Sequence, residues 1–440
     1  MLDAYLKNGE LFLKSKGIIK IDGETIRKTY LWPIEEMSGV AVENDTDAVA
    51  ILRRFGFELS GKTSELLPSF FKTSGGTCSL CGRDGQVVSN KAFIFPFERK
   101  IDSIVNERNR LTFCQEHAFK LYSGMANLFT VPLGDETLKF FFDGPERDLR
   151  RFLRGFKGFW RERFEVVVRE KGEKKSYSLR VSLTLSKHHP DEAFFAVLHE
   201  FVKSLHNRRL LEEVGPKTIR AYLVQRLDKK GQRYMERVID GSILERLIVF
   251  LDKIQGKGRE VQWGKKHLEP RDSAVYLFYE NLEIPRSQRD RSKNSLEREE
   301  FIGKLLGGKF DFTLLNTIMM ERIKAKLPLP LYYYTWAVSY LETFGGDSVD
   351  VETFKQVNGL GYALGRAMKG TNRERYLWEL FRARGFEEFL NKLVELQAKL
   401  ELSLDLRPIY ENRREWKVVK AILLNGMLNA LYGKEKGVSE

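Results

Sequence analysis

The stretch "TCSLCGRDG" (residues 77–85), with "TFCQEH" (112–117) downstream, gathers every cysteine of a 440-residue chain into one place. Cys78 and Cys81 stand two residues apart, and Cys114 and His117 repeat that gap. Two donors at this spacing can reach one ion from a tight knuckle, and two such pairs complete a tetrahedral zinc site. Gly82 follows the first pair, where a knuckle needs a residue that turns without a Cβ. An odd cysteine count in a CxxC…CxxH pattern favours metal over disulfides. With four protein ligands the site is closed, which points to structural Zn2+ rather than a metal that binds substrate. The 32 residues between the pairs contain no histidine, so a zinc-flanked nuclease centre is excluded there. They do carry Arg83, Lys91, Arg108 and Arg110, with Asn106 and Asn109 as side chains able to read base edges.

Outward from the quartet, the chain exceeds the size at which a single core keeps growing. The expected class is α+β: a mixed α/β N-terminal part with an inserted zinc-binding module, followed by an all-α C-terminal helical bundle. The boundaries fall at 1–75 (N-terminal α/β segment), 76–125 (zinc-binding module), 126–285 (α/β segment with a basic helix) and 286–440 (helical bundle). Asp22-Gly23 between short apolar runs reads as a hairpin turn. "DTDAVAILRRFGF" reads as a short capped helix ending near Gly56. Strands are expected at 138–142 and 274–282, and in a hairpin over "FEVVVREKGEKKSYSLRVSLTL", whose second half alternates strictly. The run from Pro190 gives a long helix with Phe194, Val197, Leu198, Phe201, Val202 and Leu205 on one face. Beyond Pro285 helices are expected at 295–306, 312–327, 331–344, 350–369, 373–403 and 412–432.

Charge narrows the function. Lys and Arg exceed Asp and Glu by 13, with a pI near 9.4, which makes a polyanion the expected partner. The surplus is local: residues 1–50 carry 6 basic and 9 acidic side chains, whereas 141–237 carry 23 and 14. A heat-adapted surface of ion pairs would raise the charged fraction without a net surplus. Inside the basic segment, Arg147, Arg150, Arg151, Arg154, Lys157 and Arg161 recur at three- and four-residue spacing, one stripe of a helix fit to neutralise phosphates. Leu149, Phe152, Leu153, Phe156, Phe159 and Trp160 fall on the other side. Basic residues also cluster at Arg208–Arg233 and, in the bundle, at Arg366, Lys369, Arg373, Arg375, Arg382 and Arg384.

Catalytic signals are thin. His199-Glu200 is followed by Lys203 where a zinc-protease motif needs histidine, so His199 reads as a core residue. The glycines of "NGLGYALGRAMKG" (358–370) suit close helix packing better than a phosphate cradle. No Walker A, GxGxxG or GxSxG pattern occurs, so a non-enzyme is expected. No apolar run reaches the length of a membrane span, and the first residues lack a signal-peptide layout, so a cytoplasmic chain without membrane partner is expected.

This layout, together with Cys78, Cys81, Cys114 and His117, resembles the large subunit of type I CRISPR surveillance (Cascade) complexes in their compact archaeal or thermophilic form. The resemblance implies structural zinc on the quartet and binding to crRNA and to target double-stranded DNA at a short protospacer-adjacent motif. It also implies contact with the backbone, small and crRNA-end-binding subunits and recruitment of a separate helicase-nuclease, with no catalysis by the chain itself. The protein would read a few base pairs and guide pairing the rest. A zinc-stapled RNA-binding or RNA-processing protein unrelated to CRISPR fits the same residues, as does a structural scaffold.

Overall fold

The computed structural model describes residues 1–57, 59, 65–71, 75–83, 87–89, 112–134, 136–171, 174–208, 216–226, 234–287, 291–346, 349–372 and 374–433. These form two compact units, one of Met1–Leu183 with Ser204–Glu245, the other of Thr184–Lys203 with Arg246–Glu440. Helical and strand elements mix in the first, and the C-terminal region is helical.

The first unit opens with four helices, α1 (Leu2–Ser15), α2 (Gly23–Thr29), α3 (Trp32–Ser38) and α4 (Asp45–Arg54). The hairpin expected at Asp22-Gly23 is instead a helix start. The Asp22 carboxylate accepts from the Thr25 amide at 2.9 Å, an N-cap that wins over a turn because Ile26 and Thr29 continue at helical spacing. Helix α4 is as expected, with the Asn44 side chain accepting from the Asp47 amide at 2.9 Å at its start. Short strands β1 (Val87–Ser89) and β2 (Thr112–Cys114) pair antiparallel and lead into α5 (Gln115–Ser123).

A four-stranded antiparallel sheet forms the middle of this unit. It contains β3 (Phe129–Leu133) and β4 (Glu136–Asp143), followed in the chain by α6 (Glu146–Arg163) and by the hairpin β5 (Phe164–Lys171) and β6 (Lys174–Val181). Helix α7 (Pro190–Arg208) comes next, then β7 (Arg220–Arg226) and β8 (Tyr234–Ile239), giving the order β3-β4-β7-β8. Strand alternation sends Phe140 and Phe142 to one face, where Phe156 lies 6.0 and 4.8 Å away and Phe152 meets Phe142 at 4.7 Å. On the other face Phe141 stacks on Tyr222 at 5.1 Å and meets Tyr5 of α1 edge-on at 5.3 Å. Burial of an aromatic ring contributes about 2 kcal/mol, so these rings fix α6 firmly on the sheet.

The second unit takes the first part of α7 and most of α8 (Gly241–Gln255), then the short hairpin β9 (Val261–Trp263) and β10 (Lys266–Leu268). Residues 274–282, expected as a strand, belong mainly to α9 (Pro270–Tyr279). Every residue from Asp272 to Tyr279 is buried, and an apolar run buried all round has no period to read; Pro270 at the first helical turn decides it. Next come α10 (Leu296–Leu306), α11 (Phe312–Lys324), α12 (Tyr333–Phe344) and α13 (Val351–Met368). The single helix expected over 373–403 is two, α14 (Arg375–Arg382) and α15 (Phe386–Lys399), with Gly385 capping the second in an extended conformation. Helices α16 (Arg407–Glu411) and α17 (Trp416–Tyr432) are the last described elements.

The glycines of 358–370 pack helices, as expected. A Cβ on Gly361 would lie 2.0 Å from the Leu423 carbonyl oxygen of α17, and one on Gly365 would lie 2.5 Å from that of Met427. Trp336 stacks on Phe278 at 4.1 Å in the core of this unit.

Candidate metal centre and basic helix

The Cys/His quartet, which could hold a metal ion, assembles from two knuckles held together by backbone. At the first, the Gly82 amide donates to the Cys78 carbonyl at 2.8 Å, and Gly82 adopts φ +69° with open space around it. Amides of Leu80 and Cys81 turn toward the Cys78 sulfur. The second knuckle is the start of α5, where Cys114 is the N-cap in an extended conformation and the nearby His117 amide works to lower its thiol. The helix N-terminus thus favours a thiolate. Ser79 N–H donates to the Thr112 carbonyl at 2.8 Å, and the Thr112 amide returns to Ser79 Oγ at 3.1 Å, which ties one knuckle to the other.

Sγ of Cys78 and Nδ1 of His117 lie 3.5 Å apart, Sγ of Cys114 and the same nitrogen 3.3 Å, and the sulfurs of Cys81 and Cys114 3.9 Å. All four donors fall within 4.8 Å of one another. Donors about 2.3 Å (sulfur) and 2.0–2.1 Å (nitrogen) from one tetrahedral ion would be separated by about 3.8 Å sulfur to sulfur and about 3.5 Å sulfur to nitrogen. The donor set fits a shared ion, and the sulfur separation is far too long for a disulfide. Burial works to raise the Cys78 thiol, but the amides of Cys114, Leu80 and Cys81 with His117 draw it down to about 6. Burial and the neighbouring sulfurs push Cys114 up to about 11 against the His117 amide. Thiols this close cannot all ionise without a cation among them, which is the condition a divalent metal meets.

Of the basic residues assigned to the intervening loop, Arg83 is exposed and donates to Glu116 at 2.8 Å, beside the metal quartet. Lys91, Asn106, Arg108, Asn109 and Arg110 lie outside the described residues.

The stripe of α6 forms on one continuous helix. At 100° per residue, Arg147, Arg150, Arg151, Arg154, Lys157 and Arg161 fall within an arc of about 120° and along about 21 Å of axis. The opposite face is buried at Leu149, Phe152, Leu153, Phe156, Phe159 and Trp160. Pairing separates the six cations. Arg150 holds Glu146 at 2.6 Å, and Lys157 and Arg161 hold Glu36 at 3.0 and 3.1 Å. Arg147, Arg151 and Arg154 are exposed and have no acidic partner among the described residues. Glu36 also meets Lys16 at 3.4 Å. Burial tends to raise its carboxyl, but the three cations hold it below the usual carboxylate range. Burial also lowers Lys157. Glu36, 121 residues from Lys157, could not have been found from the sequence.

In the second unit, His199, Glu200 and Asp272 bring three ligand-type atoms within 4.8 Å. His199 is fully buried, the core residue expected, with Nε2 donating to Asp272 at 3.1 Å and Nδ1 facing the Gln255 amide at 3.0 Å. Lys203 also holds Asp272 at 2.7 Å, an ammonium that already serves as the local cation. Of the basic residues grouped in the bundle, Arg375 lies over the Tyr376 ring at 5.0 Å, a ring that Lys399 also faces at 4.5 Å, and Arg373 lies outside the described residues.

No protein-family model and no curated protein matches the chain. Among the described residues no helix is long and apolar enough to cross a membrane.

Proposed function

We propose that the chain is a nucleic-acid-binding protein that acts as the non-catalytic large subunit of an RNA-guided CRISPR interference complex. The observation that carries nucleic-acid binding is the row Arg147, Arg151 and Arg154: three exposed guanidiniums without acidic partners among the described residues, on a helix whose other face is locked onto a sheet. Unpaired arginines fixed in a row suit phosphates, and the net charge of +13 has the same sign. Cys78, Cys81, Cys114 and His117 hold zinc in this reading, since three thiolates and an imidazole suit it and four protein donors leave no open position for chemistry. The metal then ties together the two sequence pairs between which Arg108, Asn109 and Arg110 fall. The partners are crRNA, target duplex DNA, the backbone, small and crRNA-end-binding subunits, and a helicase-nuclease.

Purification of the chain from its native host, followed by sequencing of bound RNA and identification of bound proteins, tests this. A crRNA with repeat-derived ends together with further complex subunits is the expected result. Bound tRNA or rRNA would replace it with a zinc-stapled RNA-binding or RNA-processing protein unrelated to CRISPR, and the absence of any nucleic acid would refute both.

A further inference from the structure

At the C-terminal end of α6 the basic stripe runs into a cleft of about 840 Å3, bounded by α3, the 38–41 turn and the start of β5. Its walls include Trp32, Met37, Trp160 and Phe164, and Lys157 and Arg161 belong to both cleft and stripe. The volume lies within the range of about 300–1,000 Å3 typical of small-molecule sites. Trp32 stands at the first turn of α3 with 37% of its surface exposed, whereas Trp160 and Phe164 are almost wholly buried, so Trp32 is the ring of this lining that a ligand can reach. The cations lining the cleft, Lys16, Lys157 and Arg161, are matched in number by the carboxylates Glu35, Glu36 and Glu165. A cleft balanced in charge suits an uncharged aromatic group better than a phosphate. The unbalanced charge lies outside it, on Arg147, Arg151 and Arg154.

We propose that the cleft seats an unstacked nucleobase of a single-stranded nucleic acid, with Trp32 as its stacking platform and the preceding or following phosphates on the arginine row of α6. The inference rests on the nucleic-acid reading above and adds the strand type and the place of the base. A base in a duplex is stacked on both sides and cannot enter, whereas a single strand presents its bases to aromatic side chains at little cost. Arg161, two-thirds exposed, is held at the rim by Glu36, which leaves the phosphates to the arginine row of α6.

The test uses the full chain and a short single-stranded oligouridine RNA carrying one 2-aminopurine, with the same RNA annealed to its complement as comparison. Trp32→Ala is expected to weaken single-strand binding about tenfold and to remove the quenching of 2-aminopurine, since loss of one stacked base costs that much. Trp32→Phe retains most of both signals, and duplex binding is unaffected by either variant. Because Trp32 is exposed, folding is checked by near-UV circular dichroism and is expected to be unchanged. Wild-type affinity and quenching in Trp32→Ala, while Arg147→Glu/Arg151→Glu abolishes binding, would overturn the base seat and leave the nucleic-acid reading standing. Equal dependence of duplex and single strand on Trp32 would overturn it as well. Failure of the wild-type chain to bind either RNA at low salt would overturn both readings.

Discussion

Replacement of Arg147, Arg151 and Arg154 together by alanine should lower the salt dependence of single-strand binding by a calculable amount. Each neutralised phosphate contributes about 0.7 to the slope of log affinity against log salt for a single strand, so three contribute about 2. Between about 0.1 M and 1 M salt that is about a hundredfold change in affinity, equivalent to roughly 2.7 kcal/mol, present in the wild type and missing in the variant. The structure sets the multiplier at three rather than six, because Arg150 is paired with Glu146, and Lys157 and Arg161 with Glu36. Fluorescence anisotropy of a labelled single-stranded RNA across a salt series measures the slope directly. The alanines fall on exposed helical positions where alanine is the best helix former, so thermal stability should not fall. A slope unchanged within error refutes the reasoning. So does an effect of Arg150→Ala as large as that of Arg151→Ala, because pairing would then not decide which cations meet phosphate.

Metal content measured on the purified chain should be one ion per protein and fall below half in Cys78→Ser or Cys114→Ser; chelation should expose the 75–83 and 112–123 backbone to hydrogen exchange, while protection there unaffected by chelation would count against a structural metal. Two glycines of α13 should respond with opposite sign. Gly359 has nothing within 4 Å of a built Cβ and is exposed, so Gly359→Ala should stabilise by about 0.5–1 kcal/mol. Gly361→Ala forces α13 off the Leu423 carbonyl and should cost at least about 1–3 kcal/mol; thermal melts in which both variants shift the same way would contradict the crossing. Lys139 is buried with its ammonium 2.7 Å from the Gly56 carbonyl, and burial lowers it to about 7. A base bound more weakly by its proton in the folded than in the unfolded chain gives stability that rises with pH, here from about 7 up to the ordinary lysine range near 10.4. Lys139→Met should remove that rise and stabilise the chain at pH 6 and below by several kcal/mol; a melting temperature that climbs with pH as steeply as in the wild type would refute the assignment.

The readings that survived in the sequence are those carried by local rules. The CxxC and CxxH pairs converge because a knuckle fixes each pair within a few residues, and Gly82 was legible as the turn residue. The α6 stripe was legible because a helix converts three- and four-residue spacing into a face, and the β5–β6 hairpin because alternation marks a strand. Two of the misreadings share one cause. Asp22-Gly23 serves a hairpin turn and an N-cap equally well, and the apolar run at 274–282 carries no period when buried on all sides. In both cases the choice is made by what lies around the segment, not within it.

Composition and spacing by themselves therefore determined the donor set of the candidate metal centre, the helical face of α6 and the positive sign of the chain's net charge. Tertiary structure alone decided which of those cations remain available. Lys16, Lys157 and Arg161 come from distant parts of the chain to share one carboxylate, Glu36, and Trp32 joins them at the same cleft. Coulomb attraction between Glu36 and the α6 cations more than a hundred positions away acts only once folding has brought α3 and α6 together, so no local pattern in the sequence records it.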